Sequence, residues 1–367
     1  MPNSSSPAQS PFPTTIEEMT PEWLSAVLPG ATVIGVSAER IGEMDGFNGV
    51  LARLTPTYEN PNPALPQTLI AKIPDKEPAQ RAAQSEVFDI EVGYYRTFAN
   101  NTGADSGDAI HPRCYFSAAE PVSHDYVLLL EDLSHGRMST FFTYTPVPDA
   151  ERIVDTLAQL HTPRWNSPEL DTFEWAVDGR DPKVWHDRQT AYVASLDKFF
   201  DSWGDLLQPG TREITAAFGP KITDVMTVPE DAAVTLTHGD THPGNLFLFD
   251  DDTKPGVRVI DWQRTAVQQG VRDVTNFFIF SLEPEERKQA ETSLLERYLA
   301  GLHDGGIDDY RMEDLLREYR RALLYPIIRM VPMGSKFSPD TPGARDAARQ
   351  IFPKLVALED WNCGELF

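Results

Sequence analysis

The sequence predicts an α+β protein of two lobes, a strand-rich first third followed by a chiefly helical remainder. Short β-like runs alternate with turn residues from Ala31 to Ile73, whereas most of the chain beyond Asp149 follows a helical period. Between these stretches an apolar bridge, Val127 to Leu130, runs directly into Glu131-Asp132-Leu133, the expected hinge. At 367 residues the chain is long enough to build a separate core in each lobe. The expected division is a leader over 1–13, an N-terminal lobe over 14–131 and a C-terminal lobe over 132–367.

The elements follow in order. Met1 to Pro13 is rich in Ser and Pro, lacks the basic-then-apolar order of a secretory signal, and reads as a disordered leader. Thr15 to Leu28 reads as a first helix, with Thr20 and Pro21 as N-cap and first helical residue. Three strands follow, at Ala31–Val36, Val50–Thr55 and Thr68–Ile73, separated by Gly42–Gly49 and the Pro/Asn-rich Asn60–Pro66. A helix is expected from Pro78 to Phe98, because Val87, Ile90, Tyr94 and Phe98 fall on one face. Strands at Cys114–Phe116 and Tyr126–Leu130 complete the first lobe. Helices are expected over Arg152–His161, Pro182–Phe200, Glu285–Leu302 and Met312–Met330. A compact β segment, holding Val234–Thr237, Asn245–Phe249 and Val257–Ile260, interrupts them.

Composition narrows the function. Hydrophobic content of 41% and charged content of 24% are those of an ordinary folded domain. No run approaches the ~18 consecutive apolar residues of a membrane span. Only two cysteines occur, Cys114 and Cys363, so a disulfide framework is not expected and a reducing cytoplasm is the simpler location. A formal net charge of −24 argues against nucleic acid and anionic membrane, which demand clustered Lys and Arg. The charge is compatible with a cationic substrate, but acidic surface residues chiefly serve solubility, and it identifies no substrate by itself.

The strongest signal is His238-Gly-Asp-Thr-His-Pro-Gly-Asn245, followed by Val259-Ile-Asp-Trp-Gln263. Two strands flank a tight turn carrying Asp240 and Asn245, and a third strand delivers Asp261. Phosphoryl transfer requires a positioned hydroxyl nucleophile and metal ions bridging the phosphates, with little covalent help from protein. A carboxylate facing the acceptor, with an Asn and an Asp oxygen for Mg²⁺, supplies those parts.

These residues resemble the aminoglycoside phosphotransferase and choline kinase family. The Ile-Asp-Trp-Gln ending and Leu130-Glu-Asp-Leu133 look closest to its ecdysteroid-kinase-like branch. The resemblance implies a protein-kinase-like two-lobed fold, with an antiparallel sheet and helix in the N-lobe, a mainly helical C-lobe and a nucleotide cleft between. It implies ATP or another NTP as donor, Mg²⁺, and a hydroxylated small molecule as acceptor. Asp240 takes the role of catalytic base or hydroxyl-orienting group, Asn245 and Asp261 that of Mg²⁺ ligands, and His238 braces the loop. Asp273, in Gly270-Val-Arg-Asp273, resembles the family's Asp that hydrogen-bonds the catalytic loop, a structural role.

A site of this kind also needs a strand Lys on the α/β-phosphates and a helix Glu to hold it. Lys72 lies within Leu69-Ile-Ala-Lys-Ile, where an ammonium is costly to bury unless paired. Glu91 is its expected partner, with Glu86 as the rival; a solvated edge-strand Lys is the plainer alternative. The phosphate-covering loop is expected at Gly42–Gly49, with Gly46, Asn48 and Gly49 as candidates, although it is neither a Gly-x-Gly-x-x-Gly nor a Walker A loop. Adenine is expected to hydrogen-bond the hinge backbone at Glu131 and Leu133.

Other residues offer less. His111, His124, His135 and His161 lack metal-ligand spacing, and Ser134 and Ser139 lack a nucleophile elbow. Trp165, Trp175 and Trp185 read first as helix-packing residues in the region where the family builds acceptor pockets, which Tyr325, Arg329 and Met333 would line from the last helices. Two readings of different class remain: an active small-molecule kinase, and a catalytically silent nucleotide-binding regulatory module. Retention of Lys72, Asp240, Asn245 and Asp261 together favours the first, because a binding module has no need of Asp240. Phosphorylation of a protein Ser or Thr is weaker still, since the His-Arg-Asp loop is missing.

Overall fold

A computed structural model of the chain describes residues 11–41, 49–75, 77–99, 110–140, 144–250 and 256–367. The chain divides into two compact units, Met1–Gly136 with Thr253–Gln263, and Arg137–Asp252 with Arg264–Phe367. The break falls after Gly136, beyond the expected hinge, and Thr253–Gln263 joins the first unit although it lies within the stretch expected as the second lobe. Hydrogen bonds and stacking account for this. Val259 N–H donates to the Ile110 carbonyl at 2.6 Å, Arg258 donates to the His111 carbonyl at 2.9 Å, and Trp262 stacks on Tyr94 with centroids 3.8 Å apart.

The first unit is built on a five-stranded antiparallel sheet. Its strands are β1 (Val33–Ile41), β2 (Val50–Tyr58), β3 (Leu69–Ile73), β4 (Cys114–Glu120) and β5 (Asp125–Glu131), in the order β1-β2-β3-β5-β4. Strand β10 (Val257–Val259) also belongs to this unit. Side chains alternate across each strand. Ala52, Leu54, Leu69, Ala71, Ile73, Val127 and Leu129 therefore bury one face, against Leu24 and Leu28 of the N-terminal segment. Helix α1 (Pro21–Val27) begins where expected, with the Thr20 hydroxyl accepting from Trp23 N–H. The preceding turn, Ile16–Glu18, is a separate 3₁₀ segment, so the expected helix over Thr15–Leu28 is shorter and split. Phe12 joins the same core, which places the end of the expected leader inside the fold; residues 1–10 lie outside the described residues.

Helix α2 (Pro78–Phe98) packs on the opposite face, against β4 and β5. Because Ile70 and Lys72 alternate with the core residues of β3, Lys72 projects toward this helical side. β5 is buried on both faces, which is why its sequence reads as a continuous apolar run. The Tyr126 hydroxyl donates to the Ile73 carbonyl at 2.8 Å, and its ring stacks on Phe88.

The second unit is mainly helical: α3 (Val147–His161), α4 (Pro182–Trp203), α5 (Pro209–Phe218), α6 (Ile222–Met226), α7 (Val271–Ser281), α8 (Pro284–Asp304), α9 (Met312–Ala322), α10 (Tyr325–Gly334), α11 (Ala344–Ile351) and α12 (Ala357–Asp360). α3 packs on α8, α4 on α10, and α7 on α9. All of α7 is buried. The single helix expected over Met312–Met330 is broken at Leu323–Leu324. Pro326 explains the break, since it has no N–H to donate to the carbonyl of Ala322 four residues back, where α9 ends, and its ring crowds that carbonyl.

The short strands β6 (Arg137–Met138), β7 (Val177–Asp178), β8 (Thr235–Thr237), β9 (Leu246–Leu248) and β11 (Ala266–Gln268) carry the polar loops. β6 pairs antiparallel with β9, β8 pairs antiparallel with β11, and β7 runs parallel to β11. Cys114 and Cys363 are both free and buried. Among the described residues no helix is long and apolar enough to cross a membrane.

Gly49 shows how tightly the first unit is packed where β2 begins. Its φ is +87°, and a Cβ there would collide with the Tyr126 hydroxyl and the Ile73 carbonyl. Gly49→Ala should therefore cost roughly 1–3 kcal/mol of stability. Urea denaturation of the variant checks this, and an unchanged midpoint would contradict the geometry.

Candidate active site

The first unit holds a buried cation between two carboxylates. Lys72 Nζ lies 2.6 Å from Glu91 Oε2 and 2.9 Å from Asp261 Oδ1. Lys72 is 7% exposed and Glu91 is 1% exposed, so neither charge is solvated and each requires the other. Burial alone would lower the Lys72 ammonium; the Asp261 and Glu91 carboxylates outweigh it and hold it above its ordinary value. Burial pushes Glu91 upward, opposed chiefly by Lys72. The two directions pull against each other, and the 2.6 Å contact supports the charged pair.

Helical spacing makes the choice of Glu91. Glu86, five positions earlier, is exposed, whereas Glu91 faces the sheet beside Phe88, whose ring lies 5.9 Å from Lys72 Nζ. Asp261 follows β10 with a φ of +65°, a left-handed conformation that Asp tolerates better than most residues. That backbone outlier sits on a residue bonded to the buried cation, where local strain commonly accompanies function.

Other predicted residues of this unit are placed as follows. Gly49 immediately precedes β2, and Gly46 and Asn48 lie outside the described residues. Glu131 ends β5, where its N–H is spent on the Arg113 carbonyl. Leu133 is buried; its carbonyl accepts from Gly136 N–H, and its own N–H has no acceptor among the described residues. Asp132 between them is bonded to Arg53 at 2.8 Å and to Ser134 N–H.

The second unit holds Asp240 on a loop fixed from beneath by Asp273. Asp273 Oδ2 accepts from His238 N–H at 2.6 Å and Oδ1 from Gly239 N–H at 2.8 Å. The Asp273 carbonyl accepts the Thr241 hydroxyl at 2.6 Å. Burial would raise the Asp273 carboxyl, yet the His161 bond and these N–H donors hold it below its ordinary value. His161 is itself bonded to the Tyr298 hydroxyl at 2.8 Å. His238 Nδ1 then accepts from Asp240 N–H at 3.2 Å. Gly239 turns at φ +81°, and a Cβ there would collide with the Arg264 carbonyl.

Asp240 makes a bidentate pair with Arg329, at 2.6 and 3.0 Å. Burial alone would raise its carboxyl, but Arg329, then His242 and Arg264, hold it well below the usual carboxylate range. It is therefore ionised throughout the neutral range. Arg329 had only a pocket-lining place in the sequence reading, and Arg264 none. The available signal was local: Arg264 follows Asp-Trp-Gln directly, and Arg272 precedes Asp273. Trp165 and Trp175 instead pack on Tyr310 and Phe173, and Met333 is exposed.

Each unit offers one side-chain oxygen of the kind a hard cation takes. Asn245 donates its amide nitrogen to the Asp240 carbonyl at 3.0 Å, leaving its oxygen as the ligand end. Asp261 uses Oδ1 on Lys72, and its Oδ2 has no partner among the described residues. Magnesium takes one or two protein oxygens and completes its shell with water and phosphate. Among the described residues no group of three or more His, Cys, Asp or Glu converges as a metal site.

The ecdysteroid kinase-like family model matches residues 43–307. The chain belongs to that family. No curated protein sequence matches it. Among solved structures, choline kinase from Cryptosporidium parvum is 12% identical, with 94% of each chain covered and a TM-score of 0.56. The GDP complex of aminoglycoside 2′-phosphotransferase-IIIa is 13% identical, covering 93% of this chain and 97% of that one, with a TM-score of 0.51. At such identities the likeness shows the fold, the protein-kinase-like α+β architecture of two lobes. In this family member, the matched segment includes Lys72, Glu91, Asp240, Asn245, Asp261 and Asp273.

The buried pair yields a direct comparison. Glu91→Ala strands Lys72 with Asp261 alone and should cost roughly 3–5 kcal/mol. Glu86→Ala, at an exposed position, should stay within about 0.5 kcal/mol of wild type. Chemical denaturation of both variants checks the assignment, and equal midpoints would contradict it.

Proposed function

We propose that this ecdysteroid kinase-like protein transfers the γ-phosphoryl group of ATP, or of another NTP, to a hydroxyl of a small molecule. The observation that carries the reading is the Lys72 ammonium, buried and charged between Glu91 and Asp261. Two carboxylates around one buried lysine are costly to maintain for stability alone. The same arrangement gives a fixed cation for phosphate oxygens beside a carboxylate for a metal ion. Asp240, separately positioned and ionised, supplies the group that faces the acceptor.

In this reading Lys72 holds the α/β-phosphates and Glu91 holds Lys72. The Gly46, Asn48 and Gly49 segment covers the phosphates, and the backbone at Glu131 and Leu133 takes the base. Asn245 and Asp261 each offer an oxygen to Mg²⁺, which when bound neutralises phosphate charge and polarises the γ-phosphoryl. Asp240 orients the acceptor hydroxyl and receives its proton as that oxygen bonds to phosphorus and the bond to the leaving diphosphate breaks. A carboxylate held so low is a weak base, so orientation is its larger contribution and the proton moves late. His238 and Asp273 keep the loop in place without touching substrate. The two buried thiols suit a reducing cytoplasm.

The alternative, a nucleotide-binding module without turnover, is favoured by one observation: Arg329 occupies both oxygens of Asp240. Substitution separates the readings. Asp240→Asn should lower turnover by ~10²–10⁴-fold with nucleotide affinity nearly intact. ADP release measured on an acceptor that turns over checks this, and a loss of only a few-fold would remove Asp240 from the chemistry.

Asp261→Ala should abolish the Mg²⁺ enhancement of ATP binding, because it deletes a charged oxygen ligand. Calorimetric titration of ATP with and without Mg²⁺ reads this directly. A variant retaining the full enhancement would place the metal elsewhere.

A further inference from the structure

The second unit concentrates positive charge around Asp240, against the trend of a chain with 32 Lys and Arg to 56 Asp and Glu. Arg329 and Arg264 act on Asp240, and the same two act with Arg188 and Arg272 on Tyr325. Arg329 clamps Asp240, and the backbone of Arg264 itself lies against Gly239. Arg272 places its guanidinium 3.7 Å from the Tyr325 ring centroid and 5.1 Å from that of Trp185. Arg188 lies 4.9 Å from Trp185 and 5.8 Å from Tyr325.

These charges outnumber the carboxylates that act on them, Asp240 on Arg264 and Asp273 on Arg272. Among the described residues none of Arg188, Arg264 and Arg272 is ion-paired with a carboxylate. Asp240 is taken by Arg329, and Asp273 is committed to His161 and the loop N–H groups. Arg272 is 7% exposed, and its Nε is buried without a hydrogen-bond partner. Arg264 is exposed and Arg188 half-buried, so both guanidiniums are open to a ligand. The field is felt by Tyr325: burial would raise its hydroxyl, yet Arg188, Arg272, Arg329 and Arg264 together bring it down to about 8. Burial brings Arg272 down to about 10.

Resting on the phosphotransferase reading, we propose that the acceptor is an anion, a hydroxylated small molecule whose carboxylate, phosphate or sulfate group is held by Arg188, Arg264 and Arg272 while its hydroxyl meets Asp240. Guanidinium forks match such oxyanions in geometry and charge. A cationic acceptor is disfavoured here, because it would enter a cluster of four positive charges. The Trp185 and Tyr325 faces are already covered by guanidiniums, so they form no open cage for a quaternary ammonium. An anionic acceptor also gives Arg329 a second partner, which frees an Asp240 oxygen for the hydroxyl.

The test begins with sulfate titrated calorimetrically into protein saturated with Mg²⁺ and AMP-PNP, which blocks the nucleotide phosphate site. Wild type should bind sulfate, and the double variant Arg188→Gln, Arg264→Gln should bind it at least 10-fold more weakly with AMP-PNP affinity within two-fold. Arg264→Gln alone, at an exposed position, keeps the comparison available if the double variant misfolds. Turnover is then compared within matched pairs: glycerol and glycerate, ribose and ribose 5-phosphate, and choline and 2-hydroxyethyl sulfate, which carry opposite charge on the same hydroxyethyl unit. Carboxylate and phosphate members separate the two oxyanion classes. Absent sulfate binding, equal binding by the variants, or faster turnover of the neutral or cationic members would overturn the anionic acceptor. Failure of wild type to bind AMP-PNP would overturn the phosphotransferase reading itself, so the two failures are distinct.

Discussion

A buried ammonium constrains the first unit more than any other group. Lys72 sits on the α2 side of β3 because Leu69, Ala71 and Ile73 occupy the core side, and a pleated strand allows no other assignment. Once there, its charge has to be met without water. Glu91 meets it from the fourth turn of α2 and Asp261 from the residue pair that follows β10. The phase of α2, the stacking of Trp262 on Tyr94 and the left-handed backbone at Asp261 are all consistent with delivering those two carboxylates. Structural ion pairs rarely merit such arrangements, since apolar residues of similar volume serve stability as well or better.

Asp273 has the corresponding position in the second unit. It converts three polar groups, two backbone N–H and a buried histidine, into one fixed loop, and Asp240 rides on that loop. The loop is fixed for an identifiable reason: Asp273 and Asn276 of the wholly buried α7 hydrogen-bond its backbone. The charge on Asp240 is then set by its surroundings. Arg329, His242 and Arg264 hold it ionised against the cost of burial, and Arg188 and Arg272 add to the positive charge of the region. The contrast between an acidic chain and a basic acceptor region is a local property that net charge conceals.

Much of this was legible in sequence where the chemistry is local. His238 to Asn245 is a turn whose glycines and short polar residues announce its shape, and Lys72 stood out as a charge in an apolar strand. The helix period separated Glu91 from Glu86. The strand order of the sheet, the union of Thr253–Gln263 with the first unit, and the Arg329–Asp240 pair were not legible, because each joins residues far apart in the chain. Arg188, Arg264 and Arg272 are ordinary in sequence and become a cluster only through tertiary packing. The break before α10 was available from Pro326 but was overridden by an apolar pattern that continued through it.

Phosphorus-31 NMR of the protein with Mg²⁺, ATP and a mixed pool of hydroxylated metabolites tests the transfer most directly, since it follows the phosphoryl group itself. The γ-phosphate resonance should decay as ADP and a new phosphomonoester resonance grow in equal amount. Persistence of the γ-phosphate in a sample where ATP is demonstrably bound, or its conversion to inorganic phosphate alone, would contradict transfer to a hydroxyl.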